Sequence, residues 1–135
     1  MSLTAQQRDF LDQPLNAIVA TVRGDGLPSQ SVVWFLRDGD DLWMSVRPDS
    51  VKAKHLQDDP RLSVLVLGAD GGAYLRLEGT ARPDGEVSDA MRRQLIGKYI
   101  GPDRAAAWIA DHPLPGPNAC IRITPDRAIG HGLPQ

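Results

Sequence analysis

Residues 31–60 read SVVWFLRDGDDLWMSVRPDSVKAKHLQDDP, and the reading of this segment decides the fold. Two apolar stretches rich in β-branched and aromatic residues, 27–37 and 41–46, meet at the tight turn Asp38-Gly39-Asp40. Pro48-Asp49-Ser50 breaks the second, and Ser50 is placed to cap a helix over 51–58 that Asp59-Pro60 ends. The first turn of a helix carries backbone N–H groups with no partner inside the helix, and Arg47, Lys52 and Lys54 stand close by. That combination suits an anion. The strands beside it offer a wall for a flat ring. The segment is therefore read as a grip for a phosphorylated, planar cofactor, on a barrel built by the rest of the chain.

Working outward, the N-terminal side opens with a capping box of Thr4 and Gln7, ahead of a helix with Leu3, Phe10 and Leu11 on its apolar side. Pro14 ends it. Residues 16–22 read as a largely buried strand, and Arg23-Gly24-Asp25-Gly26 as a hairpin turn. On the C-terminal side, 61–67 is a buried strand, 68–72 a turn and 73–82 its antiparallel partner. There Tyr74, Arg76 and Glu78 alternate with Leu75 and Leu77, so one face is buried and the other polar or ligand-facing. The period then changes to helical over 86–99, with Met91, Leu95 and Tyr99 on one side. Pro102 opens a second short helix through Trp108 and Ile109. Residues 112–118, with three prolines, form an extended loop. Two closing strands, 119–124 and 127–131, are expected on either side of Pro125-Asp126. Six or seven antiparallel strands with short helices between them give a mainly β fold, a small barrel rather than a sandwich. No repeat or linker divides residues 1–135, which read as one domain.

At 135 residues, 41% hydrophobic and 24% charged, the chain has the make-up of a soluble globular protein with a real core. A formal net charge of -2 argues against bulk attraction to nucleic acid or to an anionic membrane, so any anion site must be local. Cys120 is the lone cysteine, which excludes an internal disulfide and suits a reducing cytosol. The N-terminus shows no secretory pattern, and no apolar run approaches the ~20 residues that span a bilayer. A cytoplasmic protein is expected.

Lys52 and Lys54 point about 200° apart on a helix and cannot serve one ligand. Lys52, in the first turn beside Ser50, reads as a phosphate contact or as a plain solvated lysine. Lys54 reads as solvent-facing, within reach of Asp58. Arg47 could close over an anion or lie on the surface. Ser31 and Ser45 are expected on neighbouring strands, at the rim of a ligand or bonded to nearby backbone. Trp34 is either core or the wall of a ring pocket. His55, His112 and His131 are scattered without metal-ligand spacing, and there is no GxSxG. Gly24-Asp25-Gly26 lacks the third glycine of a dinucleotide fingerprint and leads into a strand. With no side-chain pair standing out as acid and base, the chemistry is assigned to a cofactor.

At these residues the sequence resembles the flavin-binding split barrels related to pyridoxamine 5'-phosphate oxidase. The resemblance runs through residues 26–33, the strand 42–46, Ser50-Val51-Lys52-Ala53, residues 59–63, Glu78-Gly79-Thr80-Ala81, and the ending Gly130-His131-Gly132-Leu133-Pro134. It implies a split barrel in which Ser50 and Lys52, with Val51 and Arg47 beside them, hold the cofactor phosphate. Ser31, Val32, Val33 and Trp34 would run along the ring, with Met44 and Ser45 on an adjacent strand. It also implies a homodimer with two sites at the interface, Tyr74 reaching in from the second subunit. Where the oxidases carry a phosphate-binding arginine this chain has Ser31, and Phe35 and Leu36 stand where they carry a substrate lysine. Their C-terminal tryptophan and arginine have no counterpart in residues 129–135. The resemblance therefore points to the branch using the deazaflavin coenzyme F420, with a small unsaturated acceptor and no metal. An FMN-dependent oxidase or reductase, and a non-catalytic F420 or haem carrier, are the alternatives.

Overall fold

A computed structural model describes residues 1–133; Pro134 of the C-terminal motif and Gln135 lie outside the described residues. Helix α1 (Ala5–Leu11) starts with the expected capping box, Thr4 and Gln7 each bonding the other's backbone N–H. Strands β1 (Ala17–Val22) and β2 (Pro28–Val33) form a hairpin whose turn is closed by Arg23 N–H to the Leu27 carbonyl. Then follow β3 (Leu36–Asp38), β4 (Asp41–Val46), α2 (Val51–Asp58), β5 (Arg61–Leu67), β6 (Tyr74–Glu86), α3 (Asp89–Ile100), α4 (Pro102–Asp111) and β7 (Ala119–His131).

The seven strands form one antiparallel sheet in the order β2-β1-β5-β6-β7-β4-β3. Strands β2 and β3 are its two edges, yet only Trp34 and Phe35 separate them in the chain. Three Cα–Cα steps span at most about 11 Å, so the sheet has to roll up until its edges come close. The expected single strand over 27–37 is therefore two strands with a step between them. The ladder does not close across that step: β2 pairs with β1 alone, and β3 pairs only with residues 41–43 of β4. A barrel split along one seam results.

Three other boundaries differ from expectation. The closing strands over 119–131 are one continuous strand, because the residue facing Gly79 is Pro125 and a bulge absorbs the missing donor. Strand β6 runs on through Glu86, where polar residues pair with the start of β7 although they carry no burial signal. The helix expected from residue 86 accordingly starts at Asp89, capped by the Ser88 hydroxyl on Met91 N–H (3.1 Å).

The main core fills the barrel: Val19, Val64, Val66, Leu75 and Leu77 line its interior, and Met44 is fully buried there. A second cluster lies outside, where α3 covers Trp43 and Cys120. Lys98 of α3 pins that layer to the barrel rim. Its Nζ donates to the carbonyls of Leu11 (2.8 Å) and Phe35 (3.0 Å) and sits 3.8 Å from the Phe35 ring centre. Burial pushes the Lys98 ammonium down to about 8 and the neighbouring Tyr99 phenol up to about 12.

These two groups act on stability with opposite signs. The native state gives up the Lys98 proton before the unfolded chain does, so stability should rise from about pH 8 toward lysine's ordinary ~10.4. The unfolded chain loses the Tyr99 proton first, so stability should fall above about pH 10. Denaturant midpoints across this range should peak near ~10, and Lys98→Met should remove most of the rising limb, leaving the smaller part that Lys52 contributes. A rise that persists undiminished in the variant would assign it to another group.

Candidate functional site

Four residues join β4 to α2, and Ser50 N–H to the Arg47 carbonyl (3.0 Å) makes their turn. Ser50 has extended backbone, φ -71° and ψ 156°, and its Oγ accepts from Ala53 N–H (3.1 Å). Its own carbonyl takes Lys54 N–H (3.2 Å). The first-turn N–H groups of Val51 and Lys52 remain uncommitted among the described residues, and the Ser50 hydroxyl hydrogen is still able to donate.

Lys52 is half-buried, and burial lowers its ammonium pKa. No carboxylate among the described residues pairs with it. A cation partly withdrawn from water without a counter-ion is costly unless something else supplies the negative charge. Lys54 is exposed, and the pairing expected with Asp58 is not formed. Arg47 is exposed and reaches only loosely to Asp49 (3.5 Å), while Val51 is exposed beside it.

The seam supplies the other wall. Beyond residue 43, strand β4 has no partner on its β3 side, so Met44, Ser45 and Val46 present a free edge, as β2 does from Pro28 to Val33. Ser31 and Ser45 are not on neighbouring paired strands, contrary to expectation; they lie on the two edges that flank the seam. Ser31 and Val33 share the barrel-facing side of β2, and Val32 points out, 64% exposed. The Ser45 hydroxyl accepts from Asn118 Nδ2 (2.9 Å). The Met44 side chain is inside the barrel, so at this edge it offers backbone rather than side chain.

Trp34, at the head of the seam, is half-buried in an aromatic group. It stacks on Tyr99 with ring centres 4.6 Å apart and planes 4° apart, and its Nε1 donates to Asn16 Oδ1 (3.2 Å). Trp108 lies tilted against it at 6.0 Å. Tyr99 donates its hydroxyl to the Leu15 carbonyl (2.8 Å) and accepts from Phe35 N–H (3.3 Å), which fixes the step between β2 and β3. Helical spacing marked Tyr99 only as an apolar position, and no local signal marked Asn16 or Asn118.

Tyr74 is not near Lys52 within one chain. It pairs with His131 at the end of the barrel remote from α2, whereas α2 leads into Arg61, which pairs with Thr80. Tyr74 faces outward, on the same side of the sheet as the row Val32, Ile18, Leu65, Arg76 and Ile129 that crosses five strands. Among the described residues there is no cluster of three metal-ligating side chains, and no helix is long and apolar enough to cross a membrane.

Solved structures with this topology include an F420 reductase, 25% identical with a TM-score of 0.69, over 90% of this chain and 94% of that one. A conserved hypothetical protein from Mycobacterium tuberculosis is 22% identical with a TM-score of 0.75, over 96% and 84% of the two chains. The heme storage protein HutZ from Vibrio cholerae is 17% identical with a TM-score of 0.69, over 98% and 97%. The last two likenesses speak for the fold alone. Residues 3–132, from the rim of α1 through the seam to the turn after β7, match the profile of pyridoxamine 5'-phosphate oxidase, and the chain belongs to that family.

Proposed function

We propose that the chain is an oxidoreductase that binds coenzyme F420 at the seam and reduces a small unsaturated molecule. The observation that carries this reading is Lys52, half-buried and without a counter-ion in the first turn of α2. Two uncommitted N–H groups and the Ser50 hydroxyl stand beside it, so the residues present fit a phosphate. The bound coenzyme would supply hydride chemistry. The chain's own part is to bind the phosphate through Lys52, Ser50 and the Val51 and Lys52 amides, with Arg47 free to swing over. Backbone of residues 31–34 and 44–45 would orient the ring, and the aromatic group around Trp34 would exclude water. The resemblance to an F420 reductase and the serine at position 31 favour F420 over FMN.

Calorimetric titration with F420 and with FMN, side by side, tests the reading. F420 is expected to bind at least about tenfold more tightly, a difference of ~1.4 kcal/mol. Tighter FMN binding would move the chain to the FMN alternative, and no binding of either would end the reading.

A homodimer belongs to the same proposal. The outer row from Val32 to Ile129 is apolar but for Arg76 and partly exposed, and the Arg76 Nε, 3.7 Å from Glu78 Oε2, is buried without a hydrogen-bond partner among the described residues. A second copy packed over this face would bury the row and bring Tyr74 toward the partner's seam. Sedimentation should give twice 14.7 kDa. Val32→Glu, at a position 64% exposed in the single chain, should leave a folded monomer. A variant that stays dimeric would place the interface elsewhere.

A further inference from the structure

Hydride delivery to an unsaturated acceptor needs a proton as well, and no residue at the seam is assigned to supply one. The C-terminal turn presents a candidate. Gly132 has φ +66°, which few other residues adopt, and it folds the chain back so that Leu133 packs over Gly130 and joins the core. A Cβ on Gly130 would lie 2.8 Å from Leu133 Cδ1, so a side chain there would push the leucine from its place over the strand. Between these two glycines His131 is held outward and exposed, its ring stacked on Tyr74 with centres 5.3 Å apart and planes at 19°. Beyond that stack the imidazole is exposed to solvent, and its ring nitrogens make no hydrogen bond among the described residues.

Tyr74 and His131 form one register pair on the outer face, so whatever brings Tyr74 into the partner's site brings the imidazole with it. We propose that His131 is a catalytic residue donated across the dimer interface, the proton donor for the acceptor bound at the partner's seam. The proposal rests on the F420 reading above. In the balanced step, a hydride (one proton with two electrons) would pass to the β-carbon of an enone-type acceptor, the bound reduced coenzyme being left oxidised. The C=C π pair moves to leave an enolate, and an N–H proton passes from imidazolium to the enolate. Neutral imidazole remains and is reprotonated by solvent. The Tyr74 phenol on β6 belongs to the ring stacked on it, Arg76 lies two residues along the same face of β6, and Asp70 is in the turn that leads into β6. Asp70 accepts from Gly72 N–H (2.9 Å), which holds its carboxyl below the ordinary range.

The imidazole carbon-proton resonances of His131, identified by their loss in His131→Gln, give a readout that does not depend on turnover. Adding F420 to the wild-type dimer should shift them. With an enone such as cyclohexenone as acceptor, His131→Gln should lower kcat by about 10²-fold or more. F420 affinity should stay within about twofold, since the phosphate is held elsewhere. If F420 binds and the His131 signals do not move, or if His131→Gln keeps its kcat, this inference falls and the cofactor reading stands. If no coenzyme binds to the wild type, both fall together.

Discussion

Gly79→Ala should be the most damaging single substitution at an exposed-looking strand position, lowering stability by ~3 kcal/mol or more. A Cβ at Gly79 would overlap the Thr124 carbonyl oxygen and lie 2.9 Å from Pro125 Cα. Both obstacles are backbone of β7, next to the register shift, so no side-chain rotation relieves them. Relief requires β6 and β7 to part at the bulge. That pair carries the longest ladder in the sheet and joins the half containing β1, β2 and β5 to the half containing β4 and β3. Urea melts of the wild type and the alanine variant measure the loss. A change below about 1 kcal/mol, the size expected at an ordinary surface strand position, would mean the bulge opens easily.

The same glycine shows what the sequence made legible. A glycine inside an alternating strand, Tyr74 to Ala81, signals a bulge or close backbone approach, and Pro125 signals a strand that cannot donate at that point. Read alone, Pro125-Asp126 suggested two closing strands with a break. Read as partners across the ladder, Gly79 and Pro125 are one accommodation, but that pairing is a tertiary fact. The split at Trp34-Phe35 was hidden for a similar reason. Nothing in SVVWFLRD distinguishes a straight strand from one that steps across a seam, because the step is stabilised by Tyr99 and Lys98 from a helix 63 or 64 residues away in sequence. The cap at Ser50 and the solvent-facing Lys54 depend only on local geometry, and both were readable.

Of the candidate site, the α2 start was visible because capping residues and helical spacing lie within one short segment. The partners of Ser45 and Trp34 were not, since Asn118 and Asn16 have no local pattern that marks them. The barrel-inward side chain of Met44 follows from the pleat once Leu42 and Val46 are known to face the core. It reduces that residue's part in any ring contact to its backbone.

Lys52→Ala is expected to weaken F420 binding by ~1–3 kcal/mol, roughly fivefold to 150-fold, through loss of a charge-assisted contact. The unliganded chain should behave in the opposite way. Burial without a counter-ion already lowers the Lys52 pKa, which means that its charge disfavours the fold slightly, so the alanine variant should be as stable as the wild type or a little more stable. A purely structural lysine, packed for its carbon stem, would give the reverse pattern of lost stability and kept affinity. The pH dependence separates the two further. A bound phosphate favours the ammonium, so affinity should decline as pH rises through the lowered lysine value, and the alanine variant should lack that decline. Lys54→Ala, one hundred-degree step beyond Ala53 and exposed, is the control, with both quantities unchanged. Equal losses of affinity in the two variants would reduce the contact to a diffuse field of positive charge and remove the phosphate site from the start of α2.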